Sequence, residues 1–131
     1  MKRIALTIAA LAGVALVAGP SVARERLTGD QKLAKLLEGR VAGAPQNCIN
    51  TRVNSDSQVI DKTAVVYGRG RTIWVNIPTN ARDLDSDDAL LIRQTGAQLC
   101  RQDIVTTFDS AGGFYTGNLF LGDFVPYTRA D

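Results

Sequence analysis

Histidine is missing altogether from the 131 residues, and its absence excludes more chemistry than any other feature of the chain. Imidazole is the commonest general base near neutral pH and the commonest metal ligand. Ser-His and Cys-His triads and histidine-bound metals are therefore ruled out together. Cysteine occurs only twice, at Cys48 and Cys100. Neither has a C-x-x-C partner or a histidine to activate it, which argues against a redox or nucleophilic thiol. No cysteine follows the apolar opening segment, so a lipid-modified N-terminus is not indicated, and the lone Lys2-Arg3 pair is not a twin-arginine signal. Lysine is scarce after the opening, with Lys32, Lys35 and Lys62, and no motif sets one beside a serine for a Ser-Lys dyad.

What is present begins with an export signal. Met1-Lys2-Arg3 is followed by 15 uncharged residues from Ile4 to Ala18, then by Gly19-Pro20 and the small residues Ser21 and Ala23. A basic start, an apolar stretch, a helix breaker and small residues at the two positions a peptidase reads make a secretory signal peptide, residues 1–23, cleaved after Ala23. The apolar run is shorter than the roughly 20 residues of a spanning helix, so no stable membrane span is expected after cleavage. The mature chain, residues 24–131, has 131 − 23 = 108 residues, enough for one small domain. Lys2 and Arg3 leave with the signal, so 15 − 2 = 13 basic residues face 13 acidic ones. That balance removes the electrostatic case for nucleic acid. A periplasmic or secreted location permits disulfides, and two cysteines allow one pairing, Cys48 with Cys100. Closing a loop of about 53 residues is worth roughly 4 kcal/mol in the chain-entropy model.

Local patterns predict a mainly β domain with one N-terminal α-helix. Thr28-Gly29-Asp30-Gln31 fits a capping box, Leu33, Leu36, Leu37 and Val41 form one stripe, and Gly39 marks the end. At about ten residues the helix must dock, and a lid over a sheet is expected. Val41 to Asn47 reads as a Gly-Pro connector, Cys48 to Val53 as a strand, and Gln58 to Tyr67 as a long or bulged strand. Ala64 to Pro78 reads as a hairpin around a three-residue Gly68-Arg69-Gly70 turn. Its second arm sets Ile73, Val75 and Ile77 against Thr72, Trp74 and Asn76. Ala89 to Ile92 fits a strand or a helical turn. Further strand segments are Gln98 to Cys100, Asp103 to Phe108, and Tyr115 to Val125 with bulges or bends at Gly117 and Gly122. Pro126 and Tyr127 close the domain ahead of a tail. Six or seven short strands at this spacing imply a small antiparallel β barrel or sandwich.

Three stretches are candidate sites. Asp83-x-Asp85-x-Asp87 starts like a calcium loop, but Asp88 replaces the turn glycine and Gln94 the bidentate glutamate. A solvated acidic loop in the 83–88 segment is the expectation, and no residue set is assigned to a metal or cofactor. The aspartates specify no separation for a glycosidase pair either. At the hairpin tip, Arg69 and Arg71 with an outward Trp74 would suit an anionic ligand or a protein. The favoured alternative packs Trp74 beneath the N-terminal helix. The loop Ser110-Ala111-Gly112-Gly113-Phe114-Tyr115 is either a recognition loop, with Ser110 and Tyr115 as its contacts, or a plain glycine turn. No catalytic residue is assigned.

Several segments carry a resemblance. They are Leu33 to Gly43 leading into Cys48-Ile49, Val59 to Ala64, Trp74-Val75-Asn76, Leu99 to Asp103, and Leu121 to Tyr127. Together they resemble an uncharacterised family of small exported proteobacterial proteins. The resemblance implies an exported, disulfide-bonded domain and brings no catalytic residues. A narrower similarity, a glycine-serine loop beside a tyrosine at Ser110 and Tyr115, resembles periplasmic lysozyme inhibitors, whose spacing is not reproduced. The expectation is a non-catalytic binding or envelope-associated protein whose partner is an envelope component or another protein. Inhibition of a cell-wall hydrolase is the alternative.

Overall fold

The computed structural model describes residues 13, 18–20 and 23–131; most of residues 1–23, the segment expected to be a signal peptide, lies outside the described residues. The predicted cap is formed in both directions: Thr28 N–H donates to Gln31 Oε1 at 2.9 Å and Gln31 N–H to Thr28 Oγ1 at 3.3 Å. Helix α1, Gly29–Leu37, follows from that cap and ends near Gly39, whose φ of 71° is left-handed and suits glycine.

Ten strands follow in order: β1 Arg40–Ala42, β2 Cys48–Asn50, β3 Ser57–Ile60, β4 Ala64–Tyr67, β5 Thr72–Asn76, β6 Asp88–Ile92, β7 Gln98–Cys100, β8 Ile104–Asp109, β9 Tyr115–Phe120 and β10 Phe124–Arg129. They pair antiparallel in a five-stranded sheet of order β1-β10-β5-β4-β3, a two-stranded sheet β2-β7 and a three-stranded sheet β6-β8-β9. The fold is mainly β. Among the described residues no sheet closes into a barrel, one of the two architectures the strand pattern offered.

The five-stranded sheet separates two cores because its side chains alternate across it. On one face Ala64, Val66, Ile73 and Val75 meet Ile60, with Leu33, Leu36 and Leu37 of the helix packed against them. On the other, Val65, Tyr67 and Phe124 join Ile49, Leu99, Val105 and Leu119 of the smaller sheets. Tyr67 and Phe124 meet edge to face with centroids 5.8 Å apart. Cys48 and Cys100 stand opposite one another in the β2–β7 register and are bonded, with α-carbons 4.0 Å apart.

Several expectations are corrected. The long strand from Gln58 is two strands, β3 and β4, joined by a tight turn in which Lys62 takes φ 54°. The β4–β5 connection has four residues and two left-handed glycines, Gly68 and Gly70, not three residues and one. Ile77 lies past the end of β5 and is 57% exposed. Asn76, expected opposite the buried face, is itself fully buried. It accepts from Gly122 N–H at 3.0 Å and donates to Gly122 O at 2.8 Å, serving as a strand partner for the β9–β10 turn. Ala89 to Ile92 resolves as strand. The start of the connector belongs to β1, where Val41 is 63% exposed and not on the helix stripe, and the end of the expected Tyr115–Val125 strand runs on through Pro126 and Tyr127 into the tail as β10, which pairs with β1.

Candidate functional site

The 110–115 stretch is the tip of the β8–β9 hairpin, and its backbone is closed by its own hydrogen bonds. Asp109 N–H donates to Phe114 O at 2.9 Å and Gly113 N–H to Asp109 O at 2.8 Å. The Asp109 carboxylate accepts from Gly112 N–H. Ser110 donates both its hydroxyl and its N–H to Asp87 O, tying the tip to the start of β6. Gly113 sits at φ 69°, which excludes most side chains. A Cβ on Gly112 would fall 2.6 Å from the Phe114 ring, so the ring rests directly on glycine backbone. Phe114 and Tyr115 remain 62% and 59% exposed, with Tyr115 edge-on to Phe108 at 6.2 Å.

The aromatic tip continues onto the outer face of the three-stranded sheet. Cross-strand neighbours on this face are Ala89, Phe108 and Tyr115 in one row and Ile104 with Phe120 in another. Leu91 is paired with Thr106, and Leu91, Ile104 and Phe120 are all exposed. Clustered exposed apolar side chains of this kind mark interaction surfaces, whereas single exposed ones do not. Of the two predicted contacts, Tyr115 faces solvent at the tip, while the Ser110 hydroxyl is spent on anchoring the loop.

Arg69, Arg71 and Trp74 are not brought into one patch. Trp74 is half-buried against the Tyr67 and Phe124 core, on the face of the sheet away from the helix, so it neither points outward nor packs beneath α1. Arg69 donates from Nε and Nη2 to the two oxygens of Asp56, each at 2.5 Å. The hydrogen bond from Arg69, assisted by its charge, holds the Asp56 carboxyl below its ordinary range despite an opposing desolvation. Arg71 pairs with Asp131 at 2.5 Å. Both pairs are exposed, so solvent screens them heavily.

Sequence reasoning passed over two further arginines here. Arg40 faces Arg129 in the β1–β10 register, and Arg129 N–H donates to Arg71 O at 2.9 Å. Arginines thus line up across two adjacent strands and the turn leading into β5. The Arg40 guanidinium donates to Arg71 O at 2.8 Å and Gly70 O at 3.0 Å, which locks it over the turn. Partial desolvation, then repulsion from Arg129, lowers its pKa. Only the pairing of two segments nearly 90 residues apart creates this cluster, so no local signal could reveal it.

The acidic loop disperses its carboxylates. Asp83 accepts from Asn80 Nδ2 at 3.0 Å, Asp85 from Asp87 N–H at 2.9 Å and Asp88 from Thr116 Oγ1 at 2.7 Å. Nearby Asp61 accepts from Ser86 N–H at 2.6 Å. Hydrogen bonds from Ser86, with Lys32 and Lys62 nearby, lower its pKa against desolvation. Among the described residues no three acidic or cysteine side chains converge as metal ligands would, and no helix is long and apolar enough to cross a membrane. No family model, curated protein or solved structure matches the chain.

Proposed function

We propose that the chain is an exported, non-catalytic binding protein that acts in the periplasm or outside the cell, with a sandwich-like β scaffold presenting the β8–β9 tip to an envelope protein. The observation that carries this reading is the exposed Phe114–Tyr115 pair on a hydrogen-bonded tip, continuous with the apolar outer face of β6-β8-β9. Aromatic side chains lose little entropy on docking, and a loop already closed by its own bonds costs little to order, so such a tip suits insertion into a concave, apolar partner surface. The secretory opening, the Cys48–Cys100 bond, the neutral mature chain and the resemblance to small exported proteobacterial proteins support the compartment.

The test is retention of an envelope partner by the immobilised protein. Phe114→Ala combined with Tyr115→Ala is expected to lower affinity at least about 30-fold, the scale of a truncated anchor residue. The melting temperature should stay within a degree or two, because neither ring is buried. Retention unchanged by the double substitution would overturn the reading.

A second reading is favoured by the shared position of Ser110 and Tyr115 on this same tip: inhibition of a cell-wall hydrolase. Excess protein would then slow a muramidase in a turbidity assay, and Ser110→Ala would weaken inhibition by freeing the loop from Asp87. An undiminished muramidase rate removes this alternative and leaves the broader one.

A further inference from the structure

The three-stranded sheet has two edges, and they are finished differently. Along β9, Asn80 Nδ2 donates to Asn118 O at 2.8 Å and Phe120 N–H donates to Asn80 Oδ1 at 3.0 Å. Thr79 N–H donates to Phe120 O at 2.9 Å, so Asn118 O and both main-chain groups of Phe120 are paired. Strand β6 forms the other edge. The bond from Ser110 N–H to Asp87 O makes Asp87 a hydrogen-bonded partner of β8. An antiparallel ladder alternates from there, so Ala89 and Leu91 also bond to β8, while Asp88, Leu90 and Ile92 turn their N–H and C=O groups outward. Asp88 N–H folds back to Asp85 O at 3.2 Å. Among the described residues, the outward main-chain groups of Leu90 and Ile92 find no partner.

An open edge is ordinarily blocked by a proline, a lysine, a bulge or a covering loop. The β6 sequence Asp88-Ala89-Leu90-Leu91-Ile92 has neither proline nor lysine, and its register with β8 runs without a shift. Among the described residues no strand pairs along its outer side. Charge stands only at its ends, with Asp87 and Asp88 before the apolar part and Arg93 after it. Asp87 and Arg93 are exposed, and among the described residues neither takes part in an ion pair. An acid before a strand and a base after it are complementary to the same strand running the other way. With Leu90 opposite Leu90 of a second copy, Asp87 faces Arg93 on both sides of the axis, and Ala89 leaves room for Leu91. Both pairs fall at positions that are not hydrogen-bonded, where side chains of adjacent strands approach most closely. The two Leu90 residues exchange their main-chain bonds, and Ile92 N–H donates to Asp88 O of the second copy.

We propose that β6 is a self-pairing edge: two copies of the chain join β6 to β6, antiparallel about a twofold axis at Leu90, in a continuous sheet of order β9-β8-β6-β6-β8-β9. Such an interface uses the same patch on both copies and closes on itself, so it makes a dimer and not a fibre. The paired β9 edges at the two ends stop further growth. The Phe114–Tyr115 tips lie on the neighbouring hairpin, at opposite ends of the enlarged sheet, and stay clear of the join. Failure of the dimer would therefore leave the protein-binding reading intact, and the converse also holds.

Sedimentation equilibrium of the purified protein between about 1 µM and about 1 mM tests the proposal. A reversible equilibrium between one and two copies is expected, with a dissociation constant in the micromolar range, because so short a join buries little surface. Amide exchange supplies the second readout. Leu90 and Ile92 N–H should exchange more slowly as concentration rises, whereas Ala89 and Leu91, already bonded to β8, should change little. Arg93→Asp and Asp87→Arg should each weaken the dimer about ten-fold or more, since like charges then face each other on both sides of the axis. The two substitutions together should restore the parent's constant. Neither side chain takes part in an ion pair among the described residues, so all three variants should melt as the parent does. Phe120→Ser changes the outer face away from the edge and should leave the constant unchanged. A single-copy mass at every concentration would leave the edge to an extended segment of another protein and overturn the proposal. So would a dimer in which Leu90 and Ile92 exchange as fast as in one copy. A dimer dissociated by Phe120→Ser but not by Arg93→Asp would be stacked face to face, and that result overturns it as well.

Discussion

Tyr67 puts a hydroxyl into the larger core, and among the described residues that oxygen has no hydrogen-bond partner. Its ring is well used, packed edge-on to Phe124, but the hydroxyl has given up water without compensation. Such a group costs stability on the order of 1 kcal/mol. Tyr67→Phe is therefore expected to leave stability unchanged or to raise it by up to about 1 kcal/mol in urea denaturation at pH 7. Burial also raises the pKa of the phenol above its ordinary value of 10.0. In the unfolded chain the phenol ionises above that pH, while the folded one stays neutral. Stability is therefore fully present below pH 10 and is lost as pH rises above it. The difference between parent and Tyr67→Phe should widen by about 1.4 kcal/mol per pH unit above 10. Parallel slopes for the two proteins would show that the phenol is not sequestered. Trp74 and Asn76 teach a related lesson at this scale: alternation put them correctly on the face opposite Ile73 and Val75, but a sheet with cores on both sides has no outward face for them. Period alone reports which residues share a side, and what covers that side is a tertiary fact.

Among the elements, the helix cap, the alternation of β5 and the β8–β9 turn were all legible because each depends on residues within a few positions. The elements missed break a local rule for a long-range reason. The β3–β4 turn places Lys62, not glycine, at positive φ. Strand β10 contains Pro126, which argues against a strand flanked on both sides. It is tolerated because the proline lies opposite Gly43, where β1 ends: Gly43 N–H donates to Pro126 O at 2.7 Å, and only the return bond is lost. Glycine is needed there, since a Cβ at 43 would lie 2.9 Å from Pro126 Cγ. Gly43→Ala gains about 0.4–1 kcal/mol from a stiffer unfolded chain but forces overpacking that costs about 1–3 kcal/mol, so a net loss near 1 kcal/mol is expected. In a Pro126→Ala background the ring is gone and the same substitution should be neutral or stabilising; equal losses in both backgrounds would show that β1 and β10 do not meet there. This contact matters beyond stability, because the same β1–β10 pairing lines Arg40 up with Arg129. The Arg40–Arg129 juxtaposition was illegible for that reason, although Arg71 beside it was picked out from the hairpin.

At the scale of the molecule, the Cys48–Cys100 bond decides whether these parts form one structure. Sheet β2-β7 has three residues on each strand, too few to persist alone. Yet Ile49 and Leu99 from that pair sit in the larger core beside Val105 and Leu119, which form the inner side of the sheet that carries the aromatic tip. A covalent tie across a sequence separation of 52 removes loop entropy worth about 4 kcal/mol from the unfolded chain. Small domains have about 5–15 kcal/mol in total. Cys48→Ala with Cys100→Ala is therefore expected to lower the melting temperature by roughly 15 °C or more at neutral pH, the size of effect a domain of about 100 residues shows for such a loss. Reductant should reproduce that loss in the parent protein and leave the double variant unaffected. Because Ile49 and Leu99 pack on the tip-bearing sheet, whereas Ile60, Val66 and Ile73 form the core on the far side of the main sheet, partial reduction should weaken protein capture by Phe114 and Tyr115 before it speeds amide exchange in the helix-side core. Simultaneous onset of both at every reductant concentration would mean that the two cores unfold as a single cooperative unit. Intact capture by a fully reduced protein would mean that the β2–β7 pair is held by packing and not by its sulfurs.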